Sequence, residues 1–381
     1  MGFPKADARL RRIYSVPIGF VNCLAQNNTN LFAGTNKGVF LSTDGGTTWS
    51  TSNNTLSDKN IRAIAVNGDD LFAATYFGIY FSADSGSTWT SVNSGLTSLY
   101  VYSLVSDGNN IFAATDEGVF LSKNNGTSWL AVNNGLTDLN ISQLAINGTS
   151  VYAGTPSGAF ASSDTGAFWS IISNGLTSTN VLAFGSMGIN VFASTPDGVF
   201  LSYNKGASWS LSNTGLSFSE TFCFASNTTK IFVGTSNGLF QSTDNGTSWL
   251  PVNTGISGVI IYSLLTNENE IIAATSKGIL LSKDNGITWT VISTGSIEDL
   301  TPINETILYP NPSKGIFNLH LKDPTSASVY SLTTITGQEP EFINRMIDNE
   351  LVIDLTGKCK GVYFLKITTD NETSVKRLLL E

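Results

Sequence analysis

The chain has 381 residues, a formal net charge of −9, 13% charged residues and 36 glycines. A weakly charged, Gly-rich composition belongs to a strand-and-turn protein rather than a helical or disordered one. The central part has no basic stripe to replace the counterions on phosphate, which argues against a nucleic-acid partner. The 3 cysteines are too widely spaced for a disulfide framework or a thiolate metal site, and no stretch approaches 18 apolar residues, so no transmembrane segment is expected.

Residues 1–19 read as an N-terminal tail, with a basic run at 9–12 in solvent and a degenerate strand expected over 8–16. From residue 20 a 40-residue period takes over. All 7 tryptophans obey it, each standing 40 residues after the last, from Trp49 to Trp289. Upstream of each lies a Thr-x-x-Gly, from Thr35–Gly38 to Thr275–Gly278. Each unit reads as four short strands; in the second they fall at 61–66, 71–75, 79–83 and 88–92, between turn clusters. Runs such as LFAGT at 31–35 are apolar on both faces, as in a sheet covered on both sides. The pattern predicts an all-β chain with a seven-bladed β-propeller over 20–295. Each blade comes from one continuous stretch, and blade one closes the ring against blade seven without a borrowed strand.

The eight residues ending in each tryptophan repeat as a box, from STDGGTTW at 42–49 to SKDNGITW at 282–289. Its acid or amide (Asp44, Asp84, Asn124, Asp164, Asn204, Asp244, Asp284) can accept hydrogen bonds from the N–H groups of its own turn. The glycine two residues on supplies a positive φ. The serine two residues before is expected to tie the loop to the neighbouring strand. Trp49, Trp89, Trp129, Trp169, Trp209, Trp249 and Trp289 are expected to start the fourth strand and cover the blade edge. This S-x-D-x-G-x-[ST]-W pattern resembles the Asp-box, or bacterial neuraminidase repeat. Sialidases, xyloglucan-degrading propellers, sortilin-type receptors and photosystem II assembly factors share it. In those families the box lies away from the active face, which implies a fastener rather than a site.

A sialidase clamps its substrate carboxylate with three arginines, and the propeller holds one, Arg62. Acids that could serve another glycosidase (Asp58, Asp116, Glu117, Asp138, Asp197, Glu220) are scattered, and Asp69, Asp70 and Asp107 fall on the box face. The one histidine, His320, lies outside the propeller. No catalytic residue, metal or cofactor is therefore expected. The face built by the strand two–three and four–one loops departs from its own repeat in blades two and three. There Tyr76, Phe77, Tyr100, Tyr102, Asp116 and Glu117 are the candidate ligand-binding residues, aromatics beside carboxylates that suit a sugar ring or a protein partner. The alternative is that Tyr76 and Phe77 cover a blade edge and Tyr102 is core. Cys23 and Cys223 occupy equivalent positions in blades one and six and read as buried thiols.

Residues 296–306 form a linker by composition, and 307–381 alternate as a small Ig-like β-sandwich. This segment resembles the C-terminal sorting domain of type IX secretion substrates in Bacteroidetes, through Tyr309, Pro310, Asn311, Pro312, Gly315, Gly361, Tyr363 and Lys376. The resemblance implies recognition by the type IX machinery, passage across the outer membrane of a Gram-negative bacterium, and release or attachment at the cell surface. Such substrates also carry an export signal at their start. The first 20 residues show none, so a truncated or misassigned start is expected. The reading is an exported or cell-surface, monomeric, non-catalytic binding protein for a glycan or protein. The alternatives are a secreted polysaccharide-active glycoside hydrolase and an assembly factor like those of photosystem II.

Overall fold

The computed structural model describes residues 20–27, 30–216, 220–252, 256, 258–293, 308–309, 313–320, 329–334, 340–347, 350–368 and 373–380. Every regular element among them is a strand. The chain divides into two compact units, Met1–Ser296 and Ile297–Glu381. The expected strand at 8–16 lies outside the described residues.

The first unit is seven four-stranded antiparallel sheets, each paired in chain order. The first strand of each blade packs against the first strands of the blades on either side, and the seventh packs against the first, so these strands line a central axis. One apolar cluster fills each seam. At the closing seam Leu24, Phe40 and Trp49 of blade one meet Ile272, Ile279 and Ile292 of blade seven. The ring therefore closes without a borrowed strand, by this packing and a hydrogen bond from the Leu24 N–H to the Ser263 hydroxyl at 3.2 Å, each blade being one continuous stretch.

Two strand boundaries differ from the sequence expectation. In blade two the first strand spans Ala63–Asn67 and the fourth only Thr90–Ser91. The start is displaced because the Ile61 N–H bonds the Thr35 carbonyl of blade one. The end is cut short because Asn93 accepts the Ile79 N–H with its side chain at 2.7 Å, in place of a strand partner. Asn53, Asn133 and Asn213 do the same in their blades.

Facing first and second strands obey a volume rule on the pleat. Cys23, Gln143 and Cys223 stand opposite Gly34, Gly154 and Gly234, whereas Ala63, Ser103, Ala183 and Ser263 stand opposite Ala or Ser. A Cβ on Gly34 would lie 2.4 Å from the Cys23 sulfur, so the larger side chain needs the glycine. Both thiols are free, and burial pushes each up to about 12, which leaves them inert.

The box is a closed set of bonds. Ser162 Oγ donates to Asp164 at 2.7 Å and accepts the Gly166 N–H at 2.8 Å, and Asp164 also accepts the Phe168 N–H. All seven turns repeat this scheme. The serine thus closes its own turn rather than reaching a neighbouring strand, since its Oγ is spent on two partners within four residues. In boxes three and five the amide of Asn124 or Asn204 donates to the following serine.

The tryptophans also differ from expectation: they precede the fourth strand and lie between blades. Trp169 is 1% exposed. Six indoles reach back to the preceding blade, as Trp129 does to the Val92 carbonyl at 2.7 Å and Trp169 to Val132 at 2.7 Å. Gly135 sits at φ +93, and a Cβ there would stand 2.1 Å from the Trp169 oxygen. Blade one has Thr55 in that place (φ 63), whose hydroxyl exchanges two hydrogen bonds with the Trp89 backbone. Trp49, at the closing seam, bonds its own Gly46 instead.

The second unit has two antiparallel sheets. One runs Leu308–Tyr309, Ile316–His320, Glu350–Asp354, Ile343–Ile347, and the other Val329–Thr334, Gly361–Thr368, Thr373–Leu380. Phe317, Leu351 and Ile353 of the first share a core with Leu332, Tyr363, Leu365 and Leu378 of the second. Gly315 and Gly361 both sit at φ +147, and the Tyr363 hydroxyl donates to the Cys359 carbonyl. Tyr309 and Lys376 lie in strands; Pro310, Asn311 and Pro312 lie outside the described residues.

Candidate functional site at the mouth of the propeller

The second residue of each first-strand segment forms a ring round the axis: Asn22, Arg62, Tyr102, Ser142, Leu182, Phe222 and Tyr262. In blades one, three, six and seven this residue is the extra one of a β-bulge, as where Val101 faces Thr115 and Ser103 faces Ala114. A bulge re-aims a side chain and locally ends pairing. Here it shows Asn22, Tyr102, Phe222 and Tyr262 to the mouth. In blades two, four and five the residue keeps its bond to the second strand, as Arg62 N does to the Ala74 carbonyl.

The result is an arc. Phe222 lies 6.3 Å from Tyr262, and Tyr262 lies 5.6 Å from Phe20, which is 42% exposed. Across Asn22 the arc resumes at Arg62, whose guanidinium stacks 4.8 Å from the Tyr76 ring and 4.9 Å from the Tyr102 ring. Arg62 Nη1 donates to the Tyr76 hydroxyl at 2.6 Å, and Tyr76 meets Tyr100 edge-on at 6.3 Å. A cleft of about 420 Å³ opens within the arc, lined by Phe20, Asn22, Asn36, Asn60, Arg62 and Tyr76. Ser142 and Leu182 leave the opposite side of the mouth plain.

Of the six candidate residues, Tyr76, Tyr100 and Tyr102 are brought together round Arg62. Tyr102 is half-buried beneath the guanidinium rather than core. Tyr76 is 38% exposed and Tyr100 52%, so both reach solvent. Asp116 accepts from Ser98, whose hydroxyl in turn receives the Tyr100 N–H, so the acid holds the loop that presents Tyr100. Phe77 and Glu117 are exposed and outside the cleft. Sequence reading passed over Arg62 as a ligand residue, along with Asn22, Phe222 and Tyr262. One column of the repeat, reading N, R, Y, S, L, F, Y, carried the signal.

Two further acids of this face are engaged in turns. Asp138 accepts from Asn140 N and Ser157 N, and Asp197 accepts from Thr177. Burial disfavours the charged form of Asp138, but its hydrogen bonds to Ser157 and Asn140 outweigh that and hold it below the usual carboxylate range. No group of three or more His, Cys, Asp or Glu side chains placed to hold a metal occurs among the described residues.

Residues 15–296 match the family of the photosynthesis system II assembly factor YCF48. The chain belongs to that family. Residues 307–381 match the secretion system C-terminal sorting domain, which makes this YCF48-family chain a secreted or cell-surface protein and a client of the secretion machinery. No curated protein matches the sequence. Solved structures match at low identity. PorZ, described as an essential surface component of the type-IX secretion system of Porphyromonas gingivalis, superposes with TM-score 0.56 at 14% identity, over 94% of this chain and 59% of its own. The extracellular domain of the putative one-component system BT4673 from B. thetaiotaomicron gives 0.60 at 15%, over 94% and 51%. An ancestral GH74 enzyme gives 0.52 at 15%, over 94% and 62%. The YCF48-family chain thus spans between half and two thirds of these structures. At such identities the likeness is one of fold alone.

Proposed function

We propose that this exported chain is a non-catalytic glycan-binding protein whose site is the aromatic arc at the propeller mouth. The observation that carries the proposal is the arc itself: Phe20 against Tyr262, and Tyr76 against Tyr100, stay partly exposed on either side of a cleft lined with amides. Aromatic faces stack on the apolar faces of sugar rings while amides take hydroxyls. Catalysis is a poorer reading, because no acid lines the cleft and three acids of this face, Asp116, Asp138 and Asp197, hold loops elsewhere on it. The assembly role named for the family suits a chain addressed to the cell surface less well.

The test is a panel of polysaccharides, each assayed with the full chain for binding and for release of reducing ends. Binding without release is expected. Release of reducing ends that ceases on mutating an acid of this face would replace the proposal with a hydrolase.

A further inference from the structure

Resting on that glycan-binding reading, we infer that the mouth selects its ligand by charge: Arg62 takes a carboxylate, so the glycan is a uronate-bearing, acidic polysaccharide. The propeller has one arginine, and no described carboxylate pairs with it. The two tyrosine rings and the Tyr76 hydroxyl fix the plane of its guanidinium. Its Nε is buried and has no hydrogen-bond partner among the described residues. A guanidinium carries five N–H donors in a rigid fork that matches a planar two-oxygen acceptor. Held in plane at the wall of a cleft, with Nη2 and the second Nη1 hydrogen uncommitted among the described residues, Arg62 is arranged to meet an incoming carboxylate with its Nη1–Nη2 edge.

The wider charge pattern agrees. Of the seven lysines between residues 20 and 293, Lys37, Lys59 and Lys277 lie in loops of the mouth face, all in blades seven and one and the link to blade two. They flank Arg62. The acids of the same face, Asp116, Glu117, Asp138, Asp197 and Glu220, belong to blades three to five and the link to blade six, and only Asp58 lies on the basic side. In a chain of net charge −9 this concentrates the positive potential of the mouth on the side that holds the cleft. The uncommitted amide groups suit the sugar hydroxyls: Asn36 spends its Oδ1 on the Phe20 N–H, and its Nδ2 has no partner among the described residues. One fixed guanidinium among solvated lysines suits single negative charges spaced along a chain, as in a polyuronate, better than a dense polyanion.

The experiment compares polygalacturonate with its carboxyl-reduced form and with heparin, using the full chain and the variants Arg62→Gln and Arg62→Lys. Melting temperatures confirm that each variant is folded. Tighter binding of polygalacturonate than of the reduced polymer, by about tenfold or more, is expected, with a like loss in both variants, because a lysine cannot replace the fork. Equal binding of the acidic and reduced polymers would overturn the inference and leave glycan binding standing. Full rescue by Arg62→Lys, or stronger binding of heparin than of polygalacturonate, would reduce the site to a general attraction for anions and also overturn it. Binding of no polysaccharide would sink both readings. Should Arg62→Gln fail to fold, Arg62→Lys carries the test alone, and an undiminished preference of that variant for polygalacturonate over the reduced polymer would count against the inference.

Discussion

The two faces of the propeller use their loops in opposite ways. On the box face, seven turns repeat one hydrogen-bond scheme almost atom for atom: serine to acid or amide, glycine N–H to serine, the residue before the tryptophan to the acid. At the mouth, one column of the same repeat reads Asn, Arg, Tyr, Ser, Leu, Phe, Tyr. A turn that must join identical sheets has one good solution, and repetition records it. A surface that must meet something outside the molecule is freed from the repeat. The comparison predicts that damage on the box side registers as lost stability, and damage at the mouth as lost binding.

The sharpest way to break this comparison is at the blade seams. Trp169→Ala removes a fully buried ring and its bond to the Val132 carbonyl, and is expected to cost about 3–5 kcal/mol. Gly135→Ala puts a Cβ against the Trp169 oxygen from the neighbouring side of the same seam, at a positive φ, and is expected to cost about 1–3 kcal/mol for the strained backbone alone. Urea unfolding followed by tryptophan fluorescence measures both, since all 7 tryptophans lie in the propeller. A cost below about 1 kcal/mol for Trp169→Ala would show that the indoles do not hold the blades together.

The seven blades were legible because tryptophan spacing is a count, and the box turns because serine, acid and glycine each carry a local reason. What escaped was whatever depends on the neighbouring blade. Ile61, Ile141 and Val181 each spend their N–H on a threonine carbonyl one blade back, whereas Val21, Val101, Thr221 and Ile261 pair within their own sheet and force a bulge. Both kinds of blade have the same 40-residue length, so the pattern of apolar residues does not distinguish them. In the bulged blades the extra residue faces the mouth, whereas Arg62 of blade two reaches it without a bulge. Tyr76 and Tyr100 stand out in the sequence because they interrupt loops; Arg62, Phe222 and Tyr262 do not, because they stand beside a strand that otherwise reads as ordinary core.

A milder break lies inside the box. Ser162→Ala leaves the Gly166 N–H buried without its acceptor, so about 1–3 kcal/mol is expected by the same fluorescence measurement. Asp244→Asn should cost less still at neutral pH, because Asn124 and Asn204 already close equivalent turns. The acid differs from the amide in its titration. Hydrogen bonds from the Ser248 hydroxyl, the Ser248 N–H and Ser242 lower the Asp244 pKa from 3.8 to about 2. A carboxyl depressed on folding contributes stability that is fully present above its unfolded value and is lost as pH falls through its folded one. The stability gap between the native chain and Asp244→Asn should therefore shrink as pH drops from about 4 to about 2. A gap that stays constant across that window would remove the charged hydrogen bonds from the account of the turn.

The smallest effect on the fold is expected at the mouth. Tyr100 is 52% exposed and touches the arc through one edge-on contact with Tyr76. Tyr100→Ala should change stability by no more than about 0.5 kcal/mol, as surface substitutions away from buried features do. Its binding to the polysaccharide that the native chain selects should nevertheless fall several-fold, because a stacking face is removed. Phe77→Ala supplies the control. Phe77 is more exposed, at 66%, adjoins Tyr76 in sequence and, unlike Tyr100, makes no ring contact with the arc among the described residues, so neither stability nor binding should move. If Phe77→Ala weakened binding as much as Tyr100→Ala, general surface hydrophobicity would explain the affinity and the arc would lose its claim. If Tyr100→Ala instead unfolded the chain, the mouth would belong with the box turns as part of the frame, and the contrast between the two faces would fail.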